Sequence, residues 1–281
     1  MDQLQYQSTD VPAKDKVKIA ELLTHAQDYE ADEIKSAVQM PNEPGWWYGT
    51  YLNEKLDAIA YMNDRTVQLF AKDCTAMTHL GMSLSRSLGK RSSGETHSAF
   101  GPEDIVSAFW QGFKSTGKAV LGDIRLNLLR LQKLDYKLND AYGARVATAK
   151  DQALVVEFLG ESLIEVVGVD MRRVAREALE KNCAELIANE RIILGSQRGK
   201  PVFLMQRKDT DRAIFLEQLF FPIPMRRPRV MTGTLAQLSA MLLAENKELL
   251  VYVDVNKKDL HQAFIDLGYE KLRSCRLIRM R

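Results

Sequence analysis

The sequence predicts an α/β protein of two successive domains, and three observations predict it. The chain has 281 residues, enough for two domains of ordinary size. Short alternating apolar strands joined by polar turns occur in each half, and each set leads into helix-forming segments. Residues 215–246, the stretch around which the rest is organised, read as strand, basic turn and helix.

In that stretch Phe215, Leu216, Leu219, Phe220 and Phe221 suit a buried strand. Pro222, Pro224 and Pro228 end it, and Arg226, Arg227 and Arg229 crowd the turn. From Thr232 onward Leu235, Leu238, Met241 and Leu242 form one apolar helical face. A helix start carries unpaired N–H groups and the positive end of the macrodipole, so this shape suits phosphate. The alternative is an ordinary β–α unit with a solvated basic loop.

Composition narrows the function classes. A hydrophobic share of 46% with 27% charged residues is that of a soluble globular protein. A net charge of +2 gives no reason to expect nucleic acid as a partner. Cys74, Cys183 and Cys275 are odd in number and far apart, which fits a reducing cytosol and no disulfide framework. His25, His79, His97 and His261 form no paired motif, so no metal is expected. The N-terminus is polar and no apolar run reaches the roughly 18 residues of a membrane span. A cytoplasmic location with no membrane association is expected.

In order, residues 12–39 read as a helix with Pro12 in its first turn and Ile19, Leu22, Leu23 and Ala26 on one face. A loop at 40–45 follows. Residues 46–52, 56–62 and 66–70 read as an antiparallel meander with turns at 53–55 and 63–65. Helices are expected at 75–90, through Met77, Leu80, Leu84 and Leu88, and at 103–114, through Ile105, Phe109 and Trp110. Apolar stretches near 119–121 and 126–131 close this half. The polar stretch 132–142 reads as the linker, which divides the chain near residue 138 into domains 1–135 and 140–281.

The second half repeats the order. A strand at 144–147 leads to Asp151, an expected N-cap for the helix through Leu154, Val155, Phe158 and Leu159. Residues 165–170 interrupt it, and a second helix is expected at about 171–189. Strands at 191–195, 201–206 and 213–221 form the second meander. After the basic turn and its helix come a strand at 249–255, a helix at 259–267 and a last strand at 272–280. The parallel between halves suggests an internal duplication of structure.

At this point the chain resembles the GNAT superfamily of acyl-CoA-dependent N-acetyltransferases, in particular tandem bacterial members with a diverged first half. The resemblance is best over 144–281, through residues 165–170, the meander, the strand–turn–helix, Tyr252-Val253-Asp254, Ala263-Phe264 and Gly268-Tyr269. In the first half it rests on Gly49, Leu56, Ala60 and Gly101-Pro102-Glu103. It implies two tandem domains, each a mixed, mostly antiparallel sheet flanked by helices. It also implies acetyl-CoA, or another acyl-CoA, as cofactor and a small-molecule or peptide amine as acceptor.

The family's signature turn is Arg or Gln, two residues, Gly, one residue, then Gly or Ala, and it cradles the CoA pyrophosphate. One register puts Arg226, Arg229 and Met231 on it; the next puts Arg227, Val230 and Thr232. Neither supplies the glycines that let backbone approach phosphate. Arginine side chains partly compensate by binding phosphate directly. The cofactor site implied is Leu219, Phe221, Arg226, Arg227, Arg229, Met231, Thr232 and Gly233. Where the family often keeps a tyrosine general acid, Phe264 stands here; Tyr252 and His261 are the candidate substitutes, the alternative for His261 being a solvated helix residue. Glu217 is the candidate general base, the alternative being the outward face of a strand. Glu165 and Asp170 are placed to hold a cationic acceptor, against the alternative that Asp170 caps a helix. Trp46, Trp47 and Tyr48 line a pocket or fill a strand core. Lys90-Arg91 with Ser92-Ser93-Gly94 reads as a solvated loop in place of a first-half CoA site. Two functions follow: an acyl-CoA-dependent N-acyltransferase, or a catalytically degenerate GNAT pair that binds a ligand or a protein. Acceptor, acyl chain and oligomeric state stay open.

Overall fold

The computed structural model describes residues 3–7, 11–24, 45–63, 66–91, 97–115, 117, 119–167 and 170–280. They form two compact units: Met1–Leu126 with Arg273–Arg281, and Asn127–Leu272. Among the described residues no helix is long and apolar enough to cross a membrane.

Unit 1 begins with β1 (Gln3–Gln7), α1 (Ala13–Thr24), β2 (Trp46–Leu52), β3 (Lys55–Asn63) and β4 (Thr66–Ala71). It continues with α2 (Cys74–Arg91), β5 (His97–Pro102), α3 (Glu103–Lys114) and β6 (Val120–Leu131). β1 to β4 pair as antiparallel neighbours, and β4 pairs β5 in parallel. Alternation decides which helix each strand residue meets. Tyr48, Ala58, Ala60 and Met62 join the core that contains Met77 and Leu80 of α2 and Phe109 of α3. Trp47, Ile59 and Tyr61 join Ile19, Leu22 and Leu23 of α1. The Trp47 and Tyr61 rings lie 4.7 Å apart, so this aromatic run is strand core. The expected helix beyond Thr24, the turn residues Asp64 and Arg65, and Ser92-Ser93-Gly94 lie outside the described residues, as do the Lys90 and Arg91 side chains.

A buried carboxylate ties α1 to the sheet. Asp15 is 4% exposed and accepts hydrogen bonds from the Tyr6 hydroxyl at 3.1 Å and the Tyr51 hydroxyl at 3.0 Å. Burial, and then this bond, push the Tyr51 phenol up to about 12. A tyrosine raised in the folded state contributes stability that is complete below its ordinary value of 10.0 and is lost as pH rises through about 12. An alkaline fall in the denaturation midpoint is therefore expected, and Tyr51→Phe should flatten it. A Tyr51 phenol that ionises at the ordinary value in a spectrophotometric titration would contradict this account.

Unit 2 takes up the second part of β6 and adds β7 (Tyr142–Val146), α4 (Gln152–Val167), α5 (Met171–Val174) and α6 (Arg176–Ala188). Then come β8 (Ile192–Gln197), β9 (Lys200–Asp209), β10 (Ala213–Phe220), α7 (Pro228–Leu243), β11 (Glu248–Asp254) and α8 (Lys258–Ile265). The strand order is β6-β11-β10-β9-β8-β7. β7 to β10 are antiparallel, and β10 pairs β11 in parallel. Ile193, Phe203 and Met205 pack with α7 and α8, whereas Ile192, Leu194 and Leu204 pack with α4 and α6, so both faces are covered.

The last strand, β12 (Glu270–Met280), belongs from Arg273 onward to unit 1, where it pairs antiparallel with β5 from Cys275↔Pro102 to Met280↔His97. Arg276 anchors it there, donating to both Asp123 carboxylate oxygens at 2.9 and 2.7 Å and to Ser107 at 2.8 Å. The unit boundaries thus differ from a single cut near residue 138, because strands at both chain segments change membership along their length.

Local differences from the sequence expectations have simple causes. Thr148 is the N-cap residue of a 3-10 turn that leads into the expected helix. This short turn, Ala149–Asp151, precedes α4, and Asp151 sits three residues in, where it accepts from the Thr148 N–H at 2.8 Å. Two 2.7 Å hydrogen bonds from Arg145 hold its carboxyl far below the usual range. The expected 171–189 helix is broken at Ala175, whose φ of −149° leaves the helical region. α7 starts at Pro228, ahead of Thr232, because proline is tolerated at the first helical position.

Candidate functional site

The site begins with a parting of two strands in unit 2. The parallel ladder of β10 and β11 runs from Ala213↔Glu248 to Leu216↔Val251, while β10 continues to Phe220 and β11 to Asp254. The cause lies in β10. Its register on β9 shifts between Glu217 and Phe220, and Gln218 takes a φ of 48° there. A bulge of this kind bends a strand and re-aims the side chains beyond it.

Beyond the parting is a cavity of about 450 Å³, within the range of small-molecule sites. Leu219, Phe221, Met231 and Leu260 give it an apolar lining. Glu165, Arg226, Lys257, Lys258 and Asp259, with Asn256, supply polar groups. Five residues expected from the sequence therefore meet here: Glu165, Leu219, Phe221, Arg226 and Met231. Asn256 to Leu260, at the β11–α8 connection, are the part that sequence reasoning missed. The signal for them was Lys257-Lys258 opening a helix directly after the strand.

The basic turn is closed on itself. The Met225 N–H donates to Pro222 at 2.8 Å, Arg226 to Ile223 at 3.2 Å, and Arg227 to Met225 at 2.8 Å. The Val230 and Met231 N–H groups both donate to the Arg227 carbonyl, at 2.9 and 3.0 Å. Arg226 donates from Nε to the Phe221 carbonyl at 2.8 Å, stands 5.8 Å over the Phe220 ring and forms an ion pair with Glu165. Arg227 and Arg229 are exposed and do not line the cavity.

The other candidates stand apart from the cavity wall. Glu217 lies 4.0 Å from Arg191, and Tyr252 stacks on Phe215 with ring centroids 6.0 Å apart. Thr232 is buried in α7, and Gly233 faces Tyr142, whose ring would meet an added Cβ at 2.4 Å. Asp170 caps α5, accepting from the Arg172 N–H at 3.1 Å and from its Nε at 2.9 Å. The Arg172 bond holds its carboxyl below the usual range. His261 Nε2 is 3.1 Å from the Asn127 amide. Phe264 is fully buried with its ring edge against Tyr269, and Tyr269 in turn meets the Ser239 hydroxyl at 3.0 Å. Among the described residues no group of three or more His, Cys, Asp or Glu is placed to hold a metal ion.

Solved structures share this architecture along nearly the whole chain. An acetyltransferase of the GNAT family from Colwellia psychrerythraea superposes with a TM-score of 0.60 at 14% identity, covering 99% of this chain and 100% of that one. A GCN5-related N-acetyltransferase from Sphaerobacter thermophilus gives a TM-score of 0.62 at 14% identity, over 99% and 95%. A tandem GNAT protein from the clavulanic acid biosynthesis pathway gives 0.61 at 10% identity, over 100% and 98%. No family model matches the sequence, and no curated protein does. The fold is that of the GNAT acetyltransferases, in its tandem form.

Proposed function

We propose that this chain is an acyl-CoA-dependent acyltransferase with an amine acceptor, and that unit 2 carries the site. The observation behind the reading is the parting of β10 and β11 over an apolar cavity. Leu219, Phe221 and Met231 suit the thin apolar arm of an acyl-CoA, and the reading assigns a backbone N–H of β10 beyond Leu216, where its pairing with β11 ends, to the thioester oxygen. The acceptor nitrogen attacks the thioester carbonyl, the C–N bond forms, the C–S bond breaks, and the ammonium proton passes to the departing thiolate or to water. An ordinary thiol pKa near ~8.5 makes that thiolate a fair leaving group without a dedicated acid. Glu217 and Tyr252, off the cavity wall, are assigned no contact with the reacting atoms. Catalysis on this reading rests on positioning, which by itself contributes up to ~7–11 kcal/mol in well-oriented systems.

A second reading, ligand binding without turnover, draws on the closed basic turn, whose N–H groups at 225–227, 230 and 231 are used internally. Calorimetric titration of acetyl-CoA followed by thiol release over a set of amines separates the two. Binding with thiol release supports the enzyme, binding alone supports the second reading, and no binding removes both.

The position of Phe264 carries its own prediction. Phe264→Tyr would bury a hydroxyl in a packed core, away from the cavity, at a cost of ~1–3 kcal/mol. A lower thermal midpoint and unchanged thiol release are expected. A gain in thiol release would mean that this side chain reaches the reacting atoms.

A further inference from the structure

We infer that Lys257 and Lys258 hold the phosphate end of the CoA ligand, a task that the arginine-rich turn would otherwise be expected to perform. The inference rests on the acyl-CoA reading above and concerns which wall of the same cavity carries the anion.

The charges facing the cavity are Arg226, Lys257 and Lys258 against Glu165 and Asp259. Arg226 donates from Nε to the Phe221 carbonyl and pairs with Glu165, so its charge is balanced and two of its five donors are engaged. Lys257 and Lys258 make no ion pair with the described residues, and both line the cavity. After the Glu165–Arg226 pair cancels, two lysines against Asp259 leave one net positive charge, all of it on the β11–α8 wall. The turn offers an anion little, because the N–H groups of residues 225–227, 230 and 231 already have carbonyl acceptors. Arg227 and Arg229 are charged but lie off the cavity wall. A ligand with an apolar arm along Leu219, Phe221 and Met231 therefore finds its free cations at Lys257 and Lys258. Lysine suits this task as a mobile point charge that needs no fixed fork geometry.

CoA offers two anionic groups, the pyrophosphate and the 3′-phosphate, and dephospho-CoA lacks the second. The test is calorimetric titration of the full-length chain with CoA, dephospho-CoA and pantetheine. The wild type is compared with a Lys257→Ala/Lys258→Ala double variant and with an Arg226→Ala/Arg229→Ala double variant. Both lysines are exposed, so the fold should persist, and a Lys257→Arg/Lys258→Arg variant with retained affinity reports charge as opposed to shape. Loss of the lysines is expected to weaken CoA at least about tenfold, to flatten the salt dependence of binding and to leave pantetheine unaffected. A loss seen with CoA but not with dephospho-CoA places the lysines on the 3′-phosphate; an equal loss with both places them on the pyrophosphate. Wild-type CoA binding that survives the lysine exchange, or that depends more on the arginine pair, overturns this assignment and leaves the acyl-CoA reading standing. No CoA binding by the wild type overturns both.

Discussion

Gly112→Val is expected to unfold unit 1. α2 and α3 touch through two glycines. A Cβ on Gly112 would lie 1.8 Å from the Thr78 carbonyl oxygen and 2.9 Å from the Met82 nitrogen. A Cβ on Gly81 would lie 2.1 Å from the Phe109 carbonyl oxygen. Those obstacles are backbone atoms of a neighbouring helix, which cannot turn aside as a side chain can. Overpacking a core commonly costs ~1–3 kcal/mol where side chains relax, so a clash with backbone should exceed that. Against a typical total of ~5–15 kcal/mol, such a loss leaves little folded protein. The core at risk includes Met77, Leu80, Leu84, Phe109 and Phe113. Denaturant unfolding of Gly81→Ala and Gly112→Ala checks the idea in milder form, and both midpoints should fall steeply. Gly122→Ala is the comparison, because its nearest neighbour is the flexible Arg279 side chain at 3.7 Å. If all three alanine variants behave alike, close helix contact is not what the two glycines provide.

Leu219→Trp is expected to abolish acyl-CoA binding while the protein stays folded. Leu219 is half-buried, lies within the bulged segment of β10 and lines the cavity. An indole there occupies the space that the reading assigns to the ligand's apolar arm. The affinity for acetyl-CoA should drop by well over tenfold, the factor that ~1.4 kcal/mol already produces. Leu219→Ala should instead leave the cavity open and have a small effect. Undiminished binding by a folded Leu219→Trp protein would place the ligand elsewhere.

Much of the fold was legible in the sequence because alternation and helical periodicity are local. The 46–70 meander and the strand–turn–helix of 215–246 follow from residue spacing alone. Unit membership was not legible in this way. β6 changes unit along its length and β12 does so at Arg273, which depends on pairing between residues distant in sequence, such as Ile278 and Ala99. The parting of β10 and β11 was hidden for another reason. Gln218 adopts a positive φ without being glycine, so no residue type marks the bulge. Arg226 was legible as a cation but not as one already matched by Glu165, since 61 residues separate the two. Lys257 and Lys258 carry no mark of a task in the sequence, because lysines ordinarily lie on solvated surface. Only the neighbouring cavity gives them a candidate task.

The most direct test of the central claim is a calorimetric titration of acetyl-CoA into the full-length wild-type protein, with thiol release followed in the same samples once amines are added. One saturable site per chain, displaced by CoA and coupled to thiol release with at least one amine, is the expected result. An absence of binding, in a protein shown to be folded, would contradict the assignment of the β10–β11 cavity to an acyl-CoA.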